Sequence, residues 1–337
     1  MTQPDPSNLR HFIHRPRRLR HGQLLRNAVA DVTLSPQNLI LPLFVCDKPH
    51  VQPISSMPGV NQWPVEQAVE QIRQLASQGL KQFILFGVTP SQQKDDRGTY
   101  ALNSDNPVCR TLRAVRQQKL DVLMYADLCL CEYTRHGHCG PLCDDPHWVV
   151  DNDATLEELG KQAVVLAQAG ADVVAPSGMM DHMVYAIRTA LDNAGRQDVA
   201  ILSYSVKYAS NFYGPFREAG EGGMTFGDRK GYQMDFRRSR EWQTELQADL
   251  QEGADMVMVK PAAAYLDIIA QVRQACDVPV AAYHVSGEYS MLCAAAEKGW
   301  IDLKLTALET TYAIRRAGAD LIITYFAPKL LQWLREE

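Results

Sequence analysis

The sequence lacks a long apolar run, a secretion-like leader and a dinucleotide-binding glycine motif. No segment approaches the ~18 apolar residues that a membrane-spanning helix needs, and the N-terminal residues contain no apolar region of the kind that directs export. We therefore expect a cytoplasmic protein with no membrane partner. No G-x-G-x-x-G follows an early apolar run, which argues against an open dinucleotide-binding sheet.

A strong excess of positive charge is also missing. The 337 residues carry a net charge of −5, so the whole chain offers no electrostatic footprint for nucleic acid. Arginines do cluster between Arg10 and Arg26, among prolines and polar residues. We interpret residues 1–30 as an N-terminal arm that is solvated or wraps another subunit, with a nucleic-acid arm as the alternative.

Short apolar runs alternate with amphipathic segments through residues 31–337, and eight of the runs are typical of buried parallel strands. These runs cover residues 38–45, 82–88, 121–130, 172–177, 200–207, 255–262, 278–287 and 320–328. The tripeptide Gly-Ala-Asp recurs at 170–172, 253–255 and 318–320, where a glycine that ends a helix precedes a strand. The pattern predicts an α/β fold, a (β/α)8 TIM barrel after the arm.

One connection in this barrel is unusually long. Residues 208–236 join the fifth predicted strand to its helix and are rich in glycine, aromatic and basic residues. Long loops in compact domains often close over a binding site, so we predict an active-site lid here. Arg217, Arg229 and Lys230 in this loop suit carboxylate binding, although a solvated charged loop would look the same.

Polar side chains gather at the carboxyl ends of the predicted strands, where barrel enzymes have their active sites. They are Asp127, Ser177, Lys207, Lys260, Tyr283, Ser286 and Tyr325. An apolar core requires no such pattern. Each hydroxyl taken alone is also compatible with an ordinary hydrogen-bonded position at the edge of the core.

The third predicted strand runs into a cysteine-rich segment, "DLCLCEYTRHGHCG". Alternation along a strand would place Asp127, Cys129 and Cys131 on one face, and Cys139 returns after seven residues. Eight cysteines in a chain without an export signal are expected to be thiols or metal ligands rather than disulfides.

Three thiolates suit a zinc ion. A closed structural zinc site would take a fourth ligand from His136, His138 or Cys143, whereas a catalytic site would leave that position to water or substrate. Reduced cysteines packed without a metal remain a third interpretation.

Two lysines end consecutive predicted strands, Lys207 in "SYSVK" and Lys260 in "MVMVK". Alternation groups Ser203 and Ser205 with Lys207 on one strand face. Burial and a neighbouring ammonium both favour the neutral amine, which attacks a carbonyl to form a Schiff base. A single lysine of this kind is more simply a snorkelling or salt-bridged residue, but two at matching strand ends favour chemistry.

Taken together, the motifs resemble the porphobilinogen synthase (5-aminolevulinate dehydratase) family. The matching stretches lie in order between residues 12 and 326 and read "ADLCLCEYTRHGHCG", "YSVKYASNFYGPFR", "GDRKGYQM", "MVKPAAAYLDI", "HVSGEYSM" and "RAGADLIITYF". The resemblance implies a (β/α)8 barrel with an arm, assembled as a homo-octamer. It also implies condensation of two 5-aminolevulinate molecules to porphobilinogen with loss of two waters, a step of heme biosynthesis.

The resemblance implies a role for each candidate residue. Lys260 would bind the first substrate, and Lys207 the second, as Schiff bases. Asp127 would be a catalytic acid beside Cys129, Cys131 and Cys139. Substrate-binding positions would be Ser286, Tyr325 and Tyr283 for the first carboxylate, Arg217, Arg229 and Gln233 for the second, Phe216 in the lid, and Ser177 in the pocket.

The resemblance also implies metals. Cys129, Cys131 and Cys139 match the family's zinc-dependent branch; a second branch has acidic residues there and relies on magnesium or monovalent ions. Glu241 matches a glutamate near an activating Mg²⁺, although a first-turn helix acid is favoured at such a position anyway. His284 is a departure, because family members often carry glutamine there.

Two other functions would use some of the same features. A class I Schiff-base aldolase with structural zinc needs only one lysine, and a zinc-stabilised binding scaffold needs neither.

Overall fold

The computed structural model describes residues 14–144 and 149–336. Within them, the residues before Leu34 form a unit distinct from the residues that follow. This first unit contains a 3-10 helix (Pro16–Arg20) and helix α1 (Gln23–Ala28), whose side chains are exposed. Part of the predicted arm, including Arg10, lies outside the described residues.

In its described residues, the second unit contains a sheet of ten strands. They are β1 (Leu39–Cys46), β2 (Gln52–Pro53), β3 (Asn61–Pro64), β4 (Gln82–Val88), β5 (Leu123–Leu128), β6 (Val173–Pro176), β7 (Ala200–Lys207), β8 (Met256–Lys260), β9 (Val280–His284) and β10 (Leu321–Thr324). Strand β1 and strands β4 to β10 pair in chain order, and β10 pairs in parallel with β1. The predicted eight-stranded (β/α)8 barrel is confirmed.

Helices connect and surround the barrel strands. They are α2 (Val65–Ser77), α3 (Pro107–Gln117), α4 (Asn152–Ala169), α5 (Met183–Asn193), α6 (Gly214–Ala219), α7 (Glu241–Glu252), α8 (Leu266–Ala275), α9 (Ser286–Glu297), α10 (Leu303–Ala317) and α11 (Ala327–Trp333). Short 3-10 helices cover Pro36–Asn38, Ser91–Gln93, Thr99–Leu102, Asn211–Tyr213 and Ala263–Tyr265. None of the helices in the described ranges is long and apolar enough to cross a membrane.

The barrel strands read as continuous apolar runs because both of their faces are covered. All eight residues of β1 are buried, as are all seven of β4. One face of each strand fills the barrel interior and the other packs against the helix layer, so alternation with polar residues is not required.

The Gly-Ala-Asp repeats mark the opposite end of the barrel from the predicted site. Their glycines at positions 170, 253 and 318 end α4, α7 and α10 in the left-handed region, with φ of 112°, 103° and 120°. Each aspartate then accepts the backbone N–H of another strand through Oδ2. These bonds join Asp172 to Met124 at 2.7 Å, Asp255 to Ile201 at 2.7 Å and Asp320 to Val280 at 3.0 Å. The repeat therefore stabilises the amino-terminal rim, where barrel residues serve stability.

Strands β2 and β3 form an antiparallel hairpin that sequence periodicity did not predict. β3 pairs in parallel with the end of β1, with Phe44 opposite Gln62 and Val45 opposite Trp63. The hairpin extends the carboxyl end of β1 beyond the barrel and brings Gln62 to the rim that surrounds the predicted active site.

Candidate active site

Lys207 and Lys260 meet at the carboxyl end of the barrel. Their Cα atoms are register partners on the adjacent strands β7 and β8, and both side chains are buried. Lys207 Nζ donates a hydrogen bond to the Ser177 carbonyl oxygen at 2.6 Å. Lys260 Nζ lies 4.1 Å from the ring centroid of Tyr283 and 5.2 Å from that of Phe216. The two predicted strand-end amines therefore share one enclosed space.

The surroundings of Lys260 favour its neutral amine. Burial, and next the positive charge of Lys207, hold the pKa of Lys260 well below its usual range, while the negative charge of Asp127 opposes this shift. A buried ammonium loses its hydration, and aromatic ring faces replace only part of it. An unprotonated amine is the form that attacks a carbonyl carbon.

Tyr204 lies close to both amines and was not predicted. Its ring centroid is 5.3 Å from Lys207 Nζ and 5.0 Å from Lys260 Nζ. The grouping of Ser203 with Lys207 on one strand face was wrong. Ser203 Oγ instead donates to Asp249 Oδ2 in α7 at 2.6 Å, because the β7–β8 register shifts between Ser203 and Val206. This irregularity changes which residues face the barrel interior.

Asp127, the penultimate residue of β5, lies beside Ser177. The Ser177 hydroxyl donates to Asp127 Oδ2 at 3.2 Å, and Asp127 Oδ1 is buried without a hydrogen-bond partner in the described parts of the chain. Burial, followed by the charge of Cys131, raises the pKa of Asp127 to about 7, against the lowering effect of Lys207 and Lys260. The carboxyl group is therefore suited to exchanging a proton near neutral pH.

The three cysteines of the opening motif converge. The Sγ atoms of Cys129, Cys131 and Cys139 all lie within 4.8 Å of one another, and all three residues are buried. Strand β5 ends at Leu128, so Cys129 and Cys131 lie in the turn after the strand rather than on its face. In the described residues this is the only group of three or more potential metal-ligating side chains at such distances.

The histidines of the motif bond elsewhere. His136 Nε2 lies 3.0 Å from the Asp96 carbonyl oxygen. The His138 ring nitrogens lie 3.1 Å from the Tyr232 hydroxyl and 3.1 Å from the Phe226 carbonyl oxygen. Neither histidine, nor Cys143, belongs to the cysteine group. The arrangement supplies three protein ligands, which is the number found in catalytic zinc sites with an open fourth position.

The segment 208–236 forms one wall of the lysine pocket. The residues that line this pocket are Phe86, Asp127, Cys131, Glu132, Ser177, Lys207, Tyr213, Phe216, Arg217, Gly220, Gly222, Arg229 and Lys260. Its volume is only about 30 Å³.

Arg217 and Arg229 of segment 208–236 both line this pocket. Arg229 Nη2 donates to the Gly137 carbonyl oxygen at 2.8 Å, and its buried Nε has no hydrogen-bond partner among the described residues. Burial and the positive charge of Arg229 lower the pKa of Arg217. Gln233 is buried and its Nε2 likewise has no described partner. These donors are available to an anionic ligand.

The remaining predicted substrate-binding residues lie around Lys260. The Tyr283 and Tyr325 hydroxyls are 3.0 Å apart. Ser286 Oγ accepts the Phe216 backbone N–H at 3.0 Å and donates to the Phe212 carbonyl oxygen at 3.3 Å. Ser286 thus connects the start of α9 to the lid.

Comparison with known proteins decides the family. Residues 13–333 match the family model described as delta-aminolevulinic acid dehydratase. Relatives of that name are 49% identical in Synechococcus elongatus, over 95% of this chain and 98% of the relative, and 48% identical in Escherichia coli, over the same shares.

A solved structure agrees with this match. The crystal structure of the Toxoplasma gondii delta-aminolevulinic acid dehydratase (porphobilinogen synthase), in complex with the reaction product porphobilinogen, superposes with a TM-score of 0.94 at 45% identity, covering 97% of this chain and 93% of that one. The chain belongs to the delta-aminolevulinic acid dehydratase family. It is accordingly an enzyme, a lyase of porphyrin and heme biosynthesis, and the resemblance found in its motifs is confirmed.

Glu241 lies apart from the lysine pocket of this dehydratase-family chain. It is the first residue of α7 and lines a separate cavity of about 230 Å³ with Asp181 and Glu245. Arg238 Nε is 4.0 Å from Glu241 Oε2. Burial, together with Asp249, Asp181 and other acids, raises the pKa of Glu245 to about 7. The magnesium role of Glu241 stays a prediction.

Sequence reasoning missed a second acid in the dehydratase pocket. Glu132, directly after Cys131, is buried and accepts the Gly87 backbone N–H at 2.7 Å through Oε2. Its position beside the cysteines was the available signal. His284, the departure noted in the sequence, is fully buried, with Nδ1 3.3 Å from Thr324 Oγ1. Burial lowers the pKa of His284 to about 4, so the imidazole is neutral at physiological pH.

Proposed function

We propose that the chain condenses two 5-aminolevulinate molecules to porphobilinogen by forming Schiff bases on Lys260 and Lys207. The observation that carries this proposal is the paired burial of the two amines on adjacent strands. Family membership supplies the overall reaction, and the complex of the Toxoplasma gondii relative with porphobilinogen supports a small-molecule ligand of this class.

The chemistry follows from two amines and two ketones. A neutral lysine amine attacks the ketone carbon of a substrate, a C–N bond forms, and the ketone oxygen leaves as water. The imine makes the adjacent carbon acidic, so removal of a proton there yields an enamine that attacks the other substrate. Asp127, with its pKa raised to about 7, is a suitable group to hold or move that proton.

The substrate carboxylates have two groups of candidate partners, one for each substrate. For the first substrate, bound at Lys260, we propose Ser286, Tyr283 and Tyr325. For the second substrate we propose Arg217, Arg229 and Gln233, whose available donors suit a carboxylate. Phe216 would cover the first imine, since its ring lies 5.2 Å from Lys260 Nζ, and Ser177 would orient Lys207 and Asp127.

We propose Zn²⁺ as the metal for the three-cysteine group. The fit rests on three buried sulfur donors that lie within 4.8 Å of one another, because soft thiolates select zinc over hard cations such as magnesium. Cys129, Cys131 and Cys139 would hold it beside Asp127 and Lys207. A zinc ion bound there would act as a Lewis acid toward the second substrate or toward water.

The other predicted associations remain proposals. An activating Mg²⁺ at Glu241 would need ligands in addition to that carboxylate, and no step of the reaction is assigned to it. The arm-plus-barrel division (1–30 and 31–337), with a lid at 208–236, and the homo-octamer fit the family resemblance. The aldolase alternative gains no support, because one lysine would suffice for it and the site pairs two.

Borohydride trapping tests the Schiff-base proposal. The purified protein is incubated with 5-aminolevulinate, reduced, digested and analysed by mass spectrometry. We expect the reduced adduct on Lys260 and Lys207, and on neither lysine when substrate is omitted. Lys161, which forms an exposed ion pair with Glu157, serves as an internal control that stays unmodified. Porphobilinogen formation without any trapped adduct would contradict the proposal.

A further inference from the structure

The lid is fastened to the barrel rim at one short segment, through contacts that the reaction chemistry does not require. Gln62, on the hairpin strand β3, is buried and donates from Nε2 to the Ala219 carbonyl oxygen at 2.7 Å. Lys48, just after β1, donates from Nζ to Gln62 Oε1 at 2.6 Å and also to Glu221 Oε1. We call Lys48, Gln62, Ala219 and Glu221 the lid latch.

A further lysine holds the same lid segment by its backbone. Lys94, which is buried in the loop after β4, donates from Nζ to the Glu221 carbonyl oxygen at 2.7 Å. Lys48 and Lys94 thus contact the lid from the loops that follow two neighbouring barrel strands, β1 and β4. Three of these four contacts involve a buried side chain, that of Gln62 or Lys94, and such contacts count for more than an exposed ion pair alone.

Glu221 itself adopts an uncommon backbone conformation. Its φ is +48°, one of four positive values among the described non-glycine residues. A left-handed conformation is unfavourable for a residue with a Cβ atom and persists where the surroundings enforce it. Gly220 precedes Glu221 and two glycines follow it, so the flanking chain is able to change direction when the latch opens.

The latched segment is continuous with the lid residues that face the lysines. The Gly220 N–H bonds to the Phe216 carbonyl oxygen at 3.0 Å, and the Gly222 N–H to the Arg217 carbonyl oxygen at 3.2 Å. These bonds fold residues 216–222 into one compact turn. A constraint on Ala219 and Glu221 is therefore transmitted to the Phe216 ring beside Lys260 and to Arg217 in the pocket.

We propose that Lys48, Gln62 and Glu221 are positioning residues, which act on the condensation by holding Phe216 and Arg217 of the closed lid over the lysine pair. This inference rests on the proposed function, because it assigns Phe216 and Arg217 to the substrates. It goes beyond that function by naming the hydrogen bonds between the barrel rim and the lid that would break when the lid opens. Because residues 216–222 lie against the pocket that holds both lysines, the latch would open to admit substrate and re-form before the condensation.

The test uses two variants that remove different barrel-side contacts of the latch. Gln62→Leu removes the buried donor and acceptor while keeping similar volume, and Lys48→Met removes the charge at the half-exposed rim. Glu157→Gln, which breaks the exposed Lys161 ion pair on α4, is the matched control. We expect hydrogen exchange across residues 214–222 to become faster and KM for 5-aminolevulinate to rise, each by roughly 3- to 10-fold, with a smaller change in kcat. Lys48→Arg is expected to restore both.

The outcomes separate the latch from the chemistry. Borohydride adducts on Lys207 and Lys260 of the unaltered protein, measured in parallel, report on the proposed function alone. Unchanged lid exchange in both variants would overturn the latch, and faster exchange with unchanged KM would overturn its positioning role. If Gln62→Leu fails to fold, Lys48→Met, which alters a half-exposed residue, still decides the question.

Discussion

Lys207 and Lys260 are in register on neighbouring parallel strands, with the ring of Tyr204 within 5.3 Å of both amines. Two ammonium groups so placed repel each other, and burial removes the water that would screen them. The relationship therefore favours a state in which at least one amine is neutral. A site built to attack two ketones benefits from this state, whereas a structural role for the lysines does not.

Replacing either lysine should abolish porphobilinogen formation. For Lys260→Ala we expect a loss on the order of 10³-fold or more in kcat, because the covalent intermediate is no longer possible. Lys207→Ala should behave similarly but should still permit trapping at Lys260. Lys161→Ala is the control, and turnover assays with borohydride trapping provide the measurement. Normal turnover by Lys260→Ala would exclude its assigned role.

The rate of adduct formation at Lys260 should depend on pH in a direction fixed by its neighbours. Burial and then Lys207 lower the pKa of Lys260, so its amine should stay reactive at pH values where an exposed lysine is protonated. Adduct formation should fall as pH drops through that lowered pKa. Lys207→Met removes a positive charge, which raises the pKa of Lys260 and should move the whole profile to higher pH. A shift to lower pH would show that the charges interact differently.

Loss of one cysteine ligand should remove the metal. In Cys131→Ser we expect zinc content measured by elemental analysis to fall, and activity to decrease by more than about 100-fold, beyond the effect typical of residues that only support a ligand. Cys143→Ser is the matched control because Cys143 lies outside the three-cysteine group. Zinc readdition should restore activity to chelated unaltered protein but not to Cys131→Ser. Full activity of verified metal-free protein would refute catalytic zinc.

Arg217, one of two arginines that line the lysine pocket, should contribute to substrate affinity. Arg217→Ala should raise KM for 5-aminolevulinate by roughly 10- to 100-fold, as expected for losing a hydrogen bond to a charged group. Arg217→Lys should recover only part of this, because an ammonium lacks the planar fork. Arg237→Ala, which removes an exposed arginine paired with Asp235, should leave KM unchanged. Equal effects of Arg217→Ala and Arg237→Ala would argue against a specific contact.

A glycine at the start of α9 should be intolerant of a side chain. A Cβ added at Gly287 would lie 2.5 Å from the Phe212 carbonyl oxygen, which also accepts the Ser286 hydroxyl. We expect Gly287→Ala to cost about 1–3 kcal/mol of unfolding free energy and to raise KM by displacing Ser286. Gly214→Ala is the control, since a Cβ there meets no atom within 4 Å. Urea unfolding and steady-state kinetics would detect both effects.

Much of the fold was predictable because its signals are local. Apolar runs located all eight barrel strands, and the Gly-Ala-Asp repeats located three helix ends. The hairpin β2–β3 was missed because two- and four-residue strands are too short to show periodicity. Its pairing with β1 is a long-range contact that no local pattern encodes.

The site was predictable where it depends on strand ends and less so where it depends on register. Parallel strands place their carboxyl ends together, so Asp127, Lys207 and Lys260 were expected to meet. The β7–β8 register shifts between Ser203 and Val206. As a result, Ser203 bonds to Asp249 of α7 instead of sharing a face with Lys207, and the Tyr204 ring lies close to both amines. A period of two holds only while pairing is regular.

The sequence by itself determined the barrel, the strand-end lysines, the three thiols and the family. Periodicity, residue chemistry and motif order can all be seen in the order of residues without knowledge of the fold. Only the tertiary structure decided that the histidines bond elsewhere, that Tyr204 and Glu132 line the pocket region, and that Gln62 and Lys48 fasten the lid. The physical reason is chain separation. Gln62 and Ala219 are 157 residues apart along the chain, and only folding brings the donor to its acceptor.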